Sequence, residues 1–175
     1  FSLNGFSFRN FSNQGDKGRK TLHSQHPYAS LSNTTAVLLQ PITVKNSDAF
    51  IKYRDVVITE PNNDNVNIEA TVNGIDWIPL VTPYSASFNA NWTATFNANA
   101  EGTYEQMVAH EIDLLDFFTP GTKVLLRFRL TSNVSIQSWG WAIDYVAIQE
   151  EPTAAEIPTF SNTTNLFPNP AKGLT

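Results

Sequence analysis

The feature that most constrains this fold is the alternation of apolar and polar residues in several short segments. KVLLRFRLT places apolar side chains at every second position: Val124, Leu126, Phe128 and Leu130. DNVNIEATV repeats the pattern over residues 66–72. Because successive side chains of a β-strand point to opposite faces, a period of two predicts strands with one buried face. Such strands are typical of antiparallel sheets.

Four further segments extend this pattern. AFIKYRDVVIT begins with the same alternation and shifts phase near Arg54 and Asp55, which predicts a β-bulge. TAVLLQPITV predicts a strand with Pro41 near its far end, which suits an edge or a bulge. MVAHEIDLL alternates as well, whereas WGWAIDYVAI is apolar on both faces and predicts a central strand.

The segments between these strands carry turn signals. Clusters of Asn, Gly, Ser, Thr and Pro separate the apolar runs, and Asn73-Gly74, followed by Trp77, predicts a hairpin. LLDFF alone suggests a helical turn. Many short strands with intervening turns predict an all-β antiparallel β-sandwich, a jelly roll, over residues 1–149. Residues 150–164 lack alternation and carry two prolines, so we interpret them as a linker.

Composition narrows the classes of partner. The chain has 175 residues, 15% of them charged, and its net charge is −5. Without a strong basic cluster, nucleic acid is a poor partner. No apolar run approaches the ~20 residues of a membrane-spanning helix. There is no cysteine, so disulfides are excluded. Because the chain begins at Phe1, we interpret it as a piece of a longer protein.

The last segment suggests where the protein works. NLFPNPA follows the linker, and Pro168 and Pro170 fix φ and withhold backbone donors. This motif resembles the start of the C-terminal sorting domain that the type IX secretion system of certain Gram-negative bacteria recognises. The resemblance implies that residues 165–175 begin such a domain, truncated here. It also implies that the secretion machinery is a partner, and that the parent protein is secreted or held at the outer-membrane surface.

The order of the sandwich segments carries a second resemblance. The most specific part is GWAIDYV at residues 140–146, preceded by the Arg-Phe-Arg strand. Residues 20–149 resemble a jelly-roll domain of large secreted proteins, similar in layout to cleaved-adhesin and MAM-like domains of the galactose-binding or concanavalin-like type. Such domains are usually non-catalytic. They bind glycans or proteins, or act as calcium-stiffened spacers. The Asp-x-Asp-Gly run of the adhesin version is absent from this sequence.

Residues for catalysis are sparse. There is no Gly-x-Ser-x-Gly elbow, and His110 is followed four residues later by Leu114 rather than by the second histidine of a zinc protease. His23 and His26 lack a third ligand, so we interpret them as surface residues bonded to backbone. Glu111 and Asp113 share a strand face, but Asp113 is placed to cap the LLDFF turn. We therefore predict no catalytic residues.

Asp144 is the main candidate for a metal ligand. It lies inside an apolar strand, where an unpaired carboxylate would cost several kcal/mol. We predict a calcium site formed by Asp144 and Asp16, with Asp64 as a substitute for Asp16. Alternatively, Asp144 pairs with Arg127 or Arg129, or accepts backbone donors.

Tryptophans are the candidates for binding a sugar. Trp77, Trp92 and Trp139 are the predicted ligand-binding residues, because an exposed indole can stack on a sugar ring. We expect Trp92, in an Asn-rich loop, and Trp139, at a strand mouth, to be exposed, and Trp141 to be buried. The alternative is that they cover the ends of the sheets.

These features predict a non-catalytic extracellular module of a larger protein, which mediates adhesion or binds a glycan or protein. The alternative from another class is a calcium-stabilised structural spacer. A glycoside hydrolase or lyase is the third interpretation.

Overall fold

A computed structural model describes residues 1–13 and 20–150. Eleven strands and one α-helix lie within these residues, together with short 3-10 turns. In chain order they are β1 Ser2–Asn4, β2 Phe6–Arg9, β3 Thr21–Ser24, β4 Asn33–Val37, β5 Ile42–Thr43, β6 Phe50–Ile58, β7 Asn65–Thr71, β8 Ile78–Pro79, α1 Ala90–Asn97, β9 Val108–Asp113, β10 Lys123–Thr131 and β11 Gly140–Ile148.

The strands form two antiparallel sheets that pack face to face. Sheet I has the order β1-β4-β10-β7-β8, with β5 also paired to β10. Sheet II has the order β2-β3-β11-β6-β9. The predicted antiparallel β-sandwich of jelly-roll type is therefore confirmed.

Alternation in β10 and β7 determines which side of sheet I is buried. Along β10, buried residues alternate with half-buried or exposed ones throughout the strand. Phe128 points inward, where its ring centroid lies 5.8 Å from that of Trp141 on β11. Trp141 is fully buried, as predicted. The layer between the sheets is thus filled by apolar side chains from alternate positions, which is the arrangement that the sequence pattern predicts.

The bulge lies on a different strand from the one predicted. Strand β6 pairs without interruption with β9 from Phe50 to Asp55, whereas β11 shifts register against β6 between Asp144 and Ala147. Tyr145, inside the shift, has a φ of 52°. The apparent phase shift in β6 has another cause. Asp55 occupies an inward position, and the outward neighbours Val56 and Ile58 are buried as well.

Residues 86–106 lie between β8 and β9 and pack against part of sheet II. They contain α1, which packs against β6 and which the sequence did not predict. Asn89 caps the helix by accepting a hydrogen bond from the backbone N–H of Asn91 at 2.8 Å. The predicted LLDFF turn is confirmed as a 3-10 turn at Leu114–Asp116.

The first strand passes from one sheet to the other at Gly5. β1 pairs with β4 in sheet I, and β2 pairs with β3 in sheet II. Gly5 has a φ of 73°, and a Cβ there would lie 2.3 Å from the Thr34 side chain. Only glycine fits this position without strain. A second break occurs at residues 38–41, which include Pro41 and separate β4 from β5; β4 is an inner strand rather than an edge.

The predicted linker, apart from residue 150, and the sorting segment at residues 165–175 lie outside the described residues. Within the described residues, no helix is both long and apolar enough to cross a membrane.

Candidate functional site

Trp92 is buried rather than exposed. It lies on α1 with no accessible surface, and its indole N–H donates to the Gln106 carbonyl at 2.9 Å. The Phe88 ring centroid is 5.6 Å away. The predicted exposure of Trp92 is therefore wrong, because the Asn-rich segment folds as a helix over sheet II. The cap formed by Asn89 was the one local signal for this helix.

Trp139 is half-buried within a group of rings. The His26 ring stacks on it at 4.0 Å with an interplanar angle of 10°, and the Phe11 ring is 5.8 Å away at 22°. A Cβ on Gly102 would lie 2.6 Å from the edge of the indole. Side chains of the protein therefore pack against this indole. The alternative interpretation, that Trp139 covers the end of a sheet, matches this packing.

Two histidines form a directed hydrogen-bond chain beside Trp139. His26 Nδ1 contacts the carbonyl oxygen of Trp139, and His26 Nε2 lies 2.7 Å from His23 Nδ1. His23 Nε2 lies 2.6 Å from the hydroxyl of Thr21. Because the Trp139 carbonyl can only accept, His26 Nδ1 is protonated and donates to it. His23 Nδ1 then donates to His26 Nε2, and the Thr21 hydroxyl donates to His23 Nε2. Both imidazoles are neutral in this chain.

Burial and charge agree with the neutral forms. Burial lowers the pKa of His23 to about 3, with further lowering by the charges of His26 and Arg9. Burial also lowers the pKa of His26 to about 4, although its bond to the Trp139 carbonyl opposes the change. His23 is buried, so the interpretation of these histidines as surface residues is wrong for His23. Clefts of about 290 Å³ and 210 Å³ open around Trp139, and Glu101 and His26 line both of them.

Asp55 anchors a second buried polar cluster, between the sheets. It accepts hydrogen bonds from the indole N–H of Trp141 at 2.8 Å, from the hydroxyl of Tyr84 and from His110 Nε2 at 2.8 Å. Burial, and next the charge of Asp55, raise the pKa values of Tyr84 and Tyr53. Both phenols therefore stay protonated near neutral pH and act as donors.

The acidic pair that we considered for hydrolysis has other contacts. Asp113 caps the turn that follows β9, accepting from the backbone N–H of Leu115 at 2.9 Å, as predicted. Glu111 is exposed and forms an ion pair with Lys52 at 3.4 Å.

The predicted metal ligands lie in different surroundings. Asp144, on β11, accepts a hydrogen bond from the hydroxyl of Tyr104 at 3.0 Å. Asp64 precedes β7 and accepts from the hydroxyl of Tyr28 at 2.6 Å. Burial raises the pKa of Asp64. Asp16 lies outside the described residues. Within the described part, no three His, Cys, Asp or Glu side chains group as metal ligands.

The outward side of sheet I carries rows of polar side chains across neighbouring strands. Arg127 lies opposite Glu69 on β7, and Arg129 lies opposite Asn67. On the other side of β10, Arg129 lies opposite Thr35. We define the polar face by the side chains of Asn33, Thr35, Asn67, Glu69, Arg127 and Arg129.

Glu69 is the centre of the hydrogen bonding on the polar face. It forms ion pairs with the Nε atom of Arg127 and with the Nη1 atom of Arg129, the latter at 3.4 Å. The Nδ2 atom of Asn67 donates to it at 3.3 Å. Arg129 Nε also donates to Asn33 Oδ1 at 2.8 Å. The arginines therefore do not neutralise Asp144, as one alternative proposed.

Trp77 lies at the edge of the polar face. The guanidinium carbon of Arg127 is 4.0 Å from its ring centroid, a close cation–π contact. The residue is half-buried and precedes β8. The predicted hairpin is confirmed here, because the side chain of Asn73 accepts from the backbone N–H groups of Ile75 and Asp76, both at 2.9 Å. Of the three predicted ligand-binding tryptophans, Trp77 is the one that adjoins the polar face.

The two outer sides of the sandwich are thus unlike. Residues 86–106 pack against part of sheet II, where Lys52 and Glu111 remain exposed. On the polar face Asn33 is exposed, Glu69 is buried and the other four residues are half-buried. The sequence could not identify this site, because residues 58 and 60 positions apart form its ion pairs.

Comparisons with known proteins give only a distant likeness. No protein-family model matches the chain. No curated protein sequence matches it either. Among solved structures, it is similar to a carbohydrate-binding module, CBM28, described as specific for non-crystalline cellulose. The identity is 12%, the match covers 84% of this chain and 89% of that chain, and the TM-score is 0.48. This likeness is too distant to support a function, and the fold rests on the strand pairing itself.

Proposed function

We propose that this domain is a non-catalytic carbohydrate-binding module, and that it binds glycans on the polar face with Trp77 as the aromatic contact. One observation carries the proposal. The outer side of sheet I presents an ordered array of hydrogen-bonding groups beside an indole ring.

The array has the chemistry that a sugar requires. Sugar hydroxyls both donate and accept hydrogen bonds, and the polar face offers guanidinium donors next to carboxylate and amide acceptors. Among the described residues, Arg127 donates one hydrogen bond, from Nε to Glu69, and so uses one of its five N–H donors. Ion pairs hold both arginines in place, so less side-chain entropy is lost when a ligand binds.

The indole supplies the apolar contact. Arg127 holds the ring from one side, and this contact orients it beside the polar face. Because sugar rings carry apolar C–H faces, an oriented aromatic ring at the border of a polar array recognises them without deep burial. A shallow face of this kind suits an extended glycan chain more than a single sugar.

The setting that fits this role is extracellular. A module on a secreted or surface protein would attach its parent to glycans of a cell or matrix, which is adhesion. The resemblance of residues 165–171 to a sorting signal supports this setting. Antibody labelling of intact cells that express the full-length gene product tests it, with labelling only after lysis as the contrary result.

A binding assay tests the site. We would screen the purified chain against immobilised glycans, and then measure affinity for the best polysaccharide by calorimetry. Trp77→Ala should weaken binding at least tenfold, equivalent to about 1.4 kcal/mol. Arg127→Met should weaken it as well, because it removes a donor and the support for the indole.

Phe8→Ala is the matched control, since Phe8 is an exposed aromatic residue on β2 of sheet II. It should leave binding unchanged. Equal affinities of the wild type and Trp77→Ala would refute the site. Failure of every glycan to bind would instead favour a structural spacer.

A further inference from the structure

The turn between β6 and β7 contains two buried acidic residues, four positions apart, at one end of the sandwich. The turn spans residues 60–64, and the backbone N–H of Asp64 donates to the Glu60 carbonyl at 3.1 Å. Both side chains are buried, Glu60 being 8% exposed and Asp64 fully inaccessible.

The two carboxylates differ in their hydrogen bonds. Asp64 accepts through both oxygens, from the hydroxyl of Tyr28 at 2.6 Å and from the backbone N–H of Asn133 at 2.8 Å. Glu60 Oε2 is shielded from solvent and has no hydrogen-bond partner among residues 1–13 and 20–150. Among the described residues, it is the one buried carboxylate oxygen in this state. A carboxylate oxygen that is shielded from water and has no partner is unfavourable, so an ion or water that contacts Glu60 Oε2 is expected here.

We propose that Glu60 and Asp64 bind a divalent cation of the calcium type. Their oxygens are hard ligands, which calcium prefers, and calcium accepts six to eight oxygens that include backbone carbonyls and water. The Ile136 carbonyl lies 3.2 Å from the hydroxyl of Tyr28, which also donates to Asp64, so this carbonyl is close to the proposed site. The cation offsets both negative charges and joins the turn to the segments that carry Tyr28 and Asn133.

This site differs from the one that the sequence predicts. Asp64 keeps its predicted role as a ligand, but its partner is Glu60, four residues earlier, instead of Asp144. The proposal does not depend on glycan binding. A cation here braces the loops at one end of the sandwich, whereas the polar face lies on strands of sheet I.

Calcium titration of metal-stripped protein tests the site. We would remove metal with a chelating resin and measure Tm with increasing CaCl2, using MgCl2 at equal ionic strength for comparison. At a tenfold excess over the dissociation constant, Tm should rise by about 3–6 °C. Magnesium should have a smaller effect, because it demands octahedral geometry and retains its water.

Glu60→Gln is the decisive variant, because it preserves the shape of the side chain and leaves the contacts of Asp64 intact. It should abolish the response to calcium and raise Tm in metal-free buffer by removing repulsion. Glu111→Gln, at an exposed glutamate on β9, is the matched control and should respond like the wild type. As a second measurement, Tb3+ luminescence excited through Tyr28 should appear in the wild type and be displaced by calcium.

Three results would overturn the proposal. The wild type could show no calcium response. The response could persist in Glu60→Gln, which would place the ion elsewhere. Glu60→Gln could also raise Tm while the wild type ignores calcium, which would identify Glu60 as a buried neutral acid.

Discussion

Mild acid should destabilise this domain through His23 and His26. In an unfolded chain each imidazole has a pKa near 6.5, whereas in the folded protein the values are about 3 and about 4. The folded state therefore holds both rings neutral, while the unfolded state takes up protons as the pH falls. The stabilisation is fully present above pH ~6.5 and is lost progressively as the pH falls toward 4 and 3.

The size of this pH effect on stability follows from the difference in bound protons between the unfolded and the folded chain. Near pH 5 the unfolded chain binds almost two more protons at these rings than the folded protein. Without screening, this difference lowers the free energy of unfolding by about 2.5 kcal/mol for each unit by which the pH falls. Screening by solvent at the half-buried His26 reduces this to about 1–2 kcal/mol per unit. Against a typical total stability of about 5–15 kcal/mol, the loss between pH 7 and pH 5 is large.

Urea unfolding at several pH values between 7 and 5, followed by tryptophan fluorescence, measures this slope. His23→Gln cannot titrate, so it should reduce the slope by about half whatever its effect on stability at pH 7. NMR titration of the imidazoles gives the folded-state pKa values directly. A folded-state pKa near 6.5 for either ring, or a slope below about 0.5 kcal/mol per pH unit, would refute the reasoning.

Three further predictions concern buried contacts, and urea unfolding checks each of them. Asp55→Ala should cost about 3–5 kcal/mol, because the Trp141 N–H and other buried donors lose their acceptor; Asp55→Asn should cost less, and equal losses would contradict this explanation. Gly102→Ala should cost about 1–3 kcal/mol, because its Cβ would meet the Trp139 ring at 2.6 Å and that ring is held by stacking. An unchanged stability would show that the indole can move aside. Trp92→Ala should cost about 3–5 kcal/mol and Trp92→Phe much less, with neither affecting glycan affinity. A weaker affinity in a folded Trp92 variant would mean that α1 contributes to binding.

Alternation predicted the parts of the fold in which one face of a strand meets the core. β10 and β7 are predictable because their inward residues are apolar and their outward residues, apart from Leu125, are polar. The turn at Asn73 and the cap at Asp113 were predictable because short polar side chains bond to backbone groups two or three residues away. Each of these signals is local.

Alternation does not predict the elements correctly where a strand is buried on both faces or a helix lacks an apolar face. The sequence predicts a bulge in β6 because Asp55 interrupts its inward apolar residues, whereas the outward residues Val56 and Ile58 are buried as well. The helix was missed because Trp92 is its one fully buried residue, so no apolar period of 3.6 exists. Such coverage depends on tertiary packing, which the segment itself does not encode.

The candidate site was predictable only in part. Trp77 was identified by its residue type, but its partner Arg127 is 50 positions away, and Glu69 draws both arginines from another strand. The chain from His23 to Trp139 was also missed, since it joins residues more than 100 positions apart. Spacing along the sequence gives no measure of such contacts.

The crossing at Gly5 has a mechanical consequence. The N-terminal segment supplies an edge strand of each sheet. A force applied at Phe1 would therefore act on β1 first and then separate β2 from β3. The last described strand, β11, is hydrogen-bonded to β3 on one side and to β6 on the other, so it would resist the same force. If force is applied through both ends of the domain, β1 and β2 should therefore separate first, while the strands that carry Arg127 and Glu69 keep their pairing.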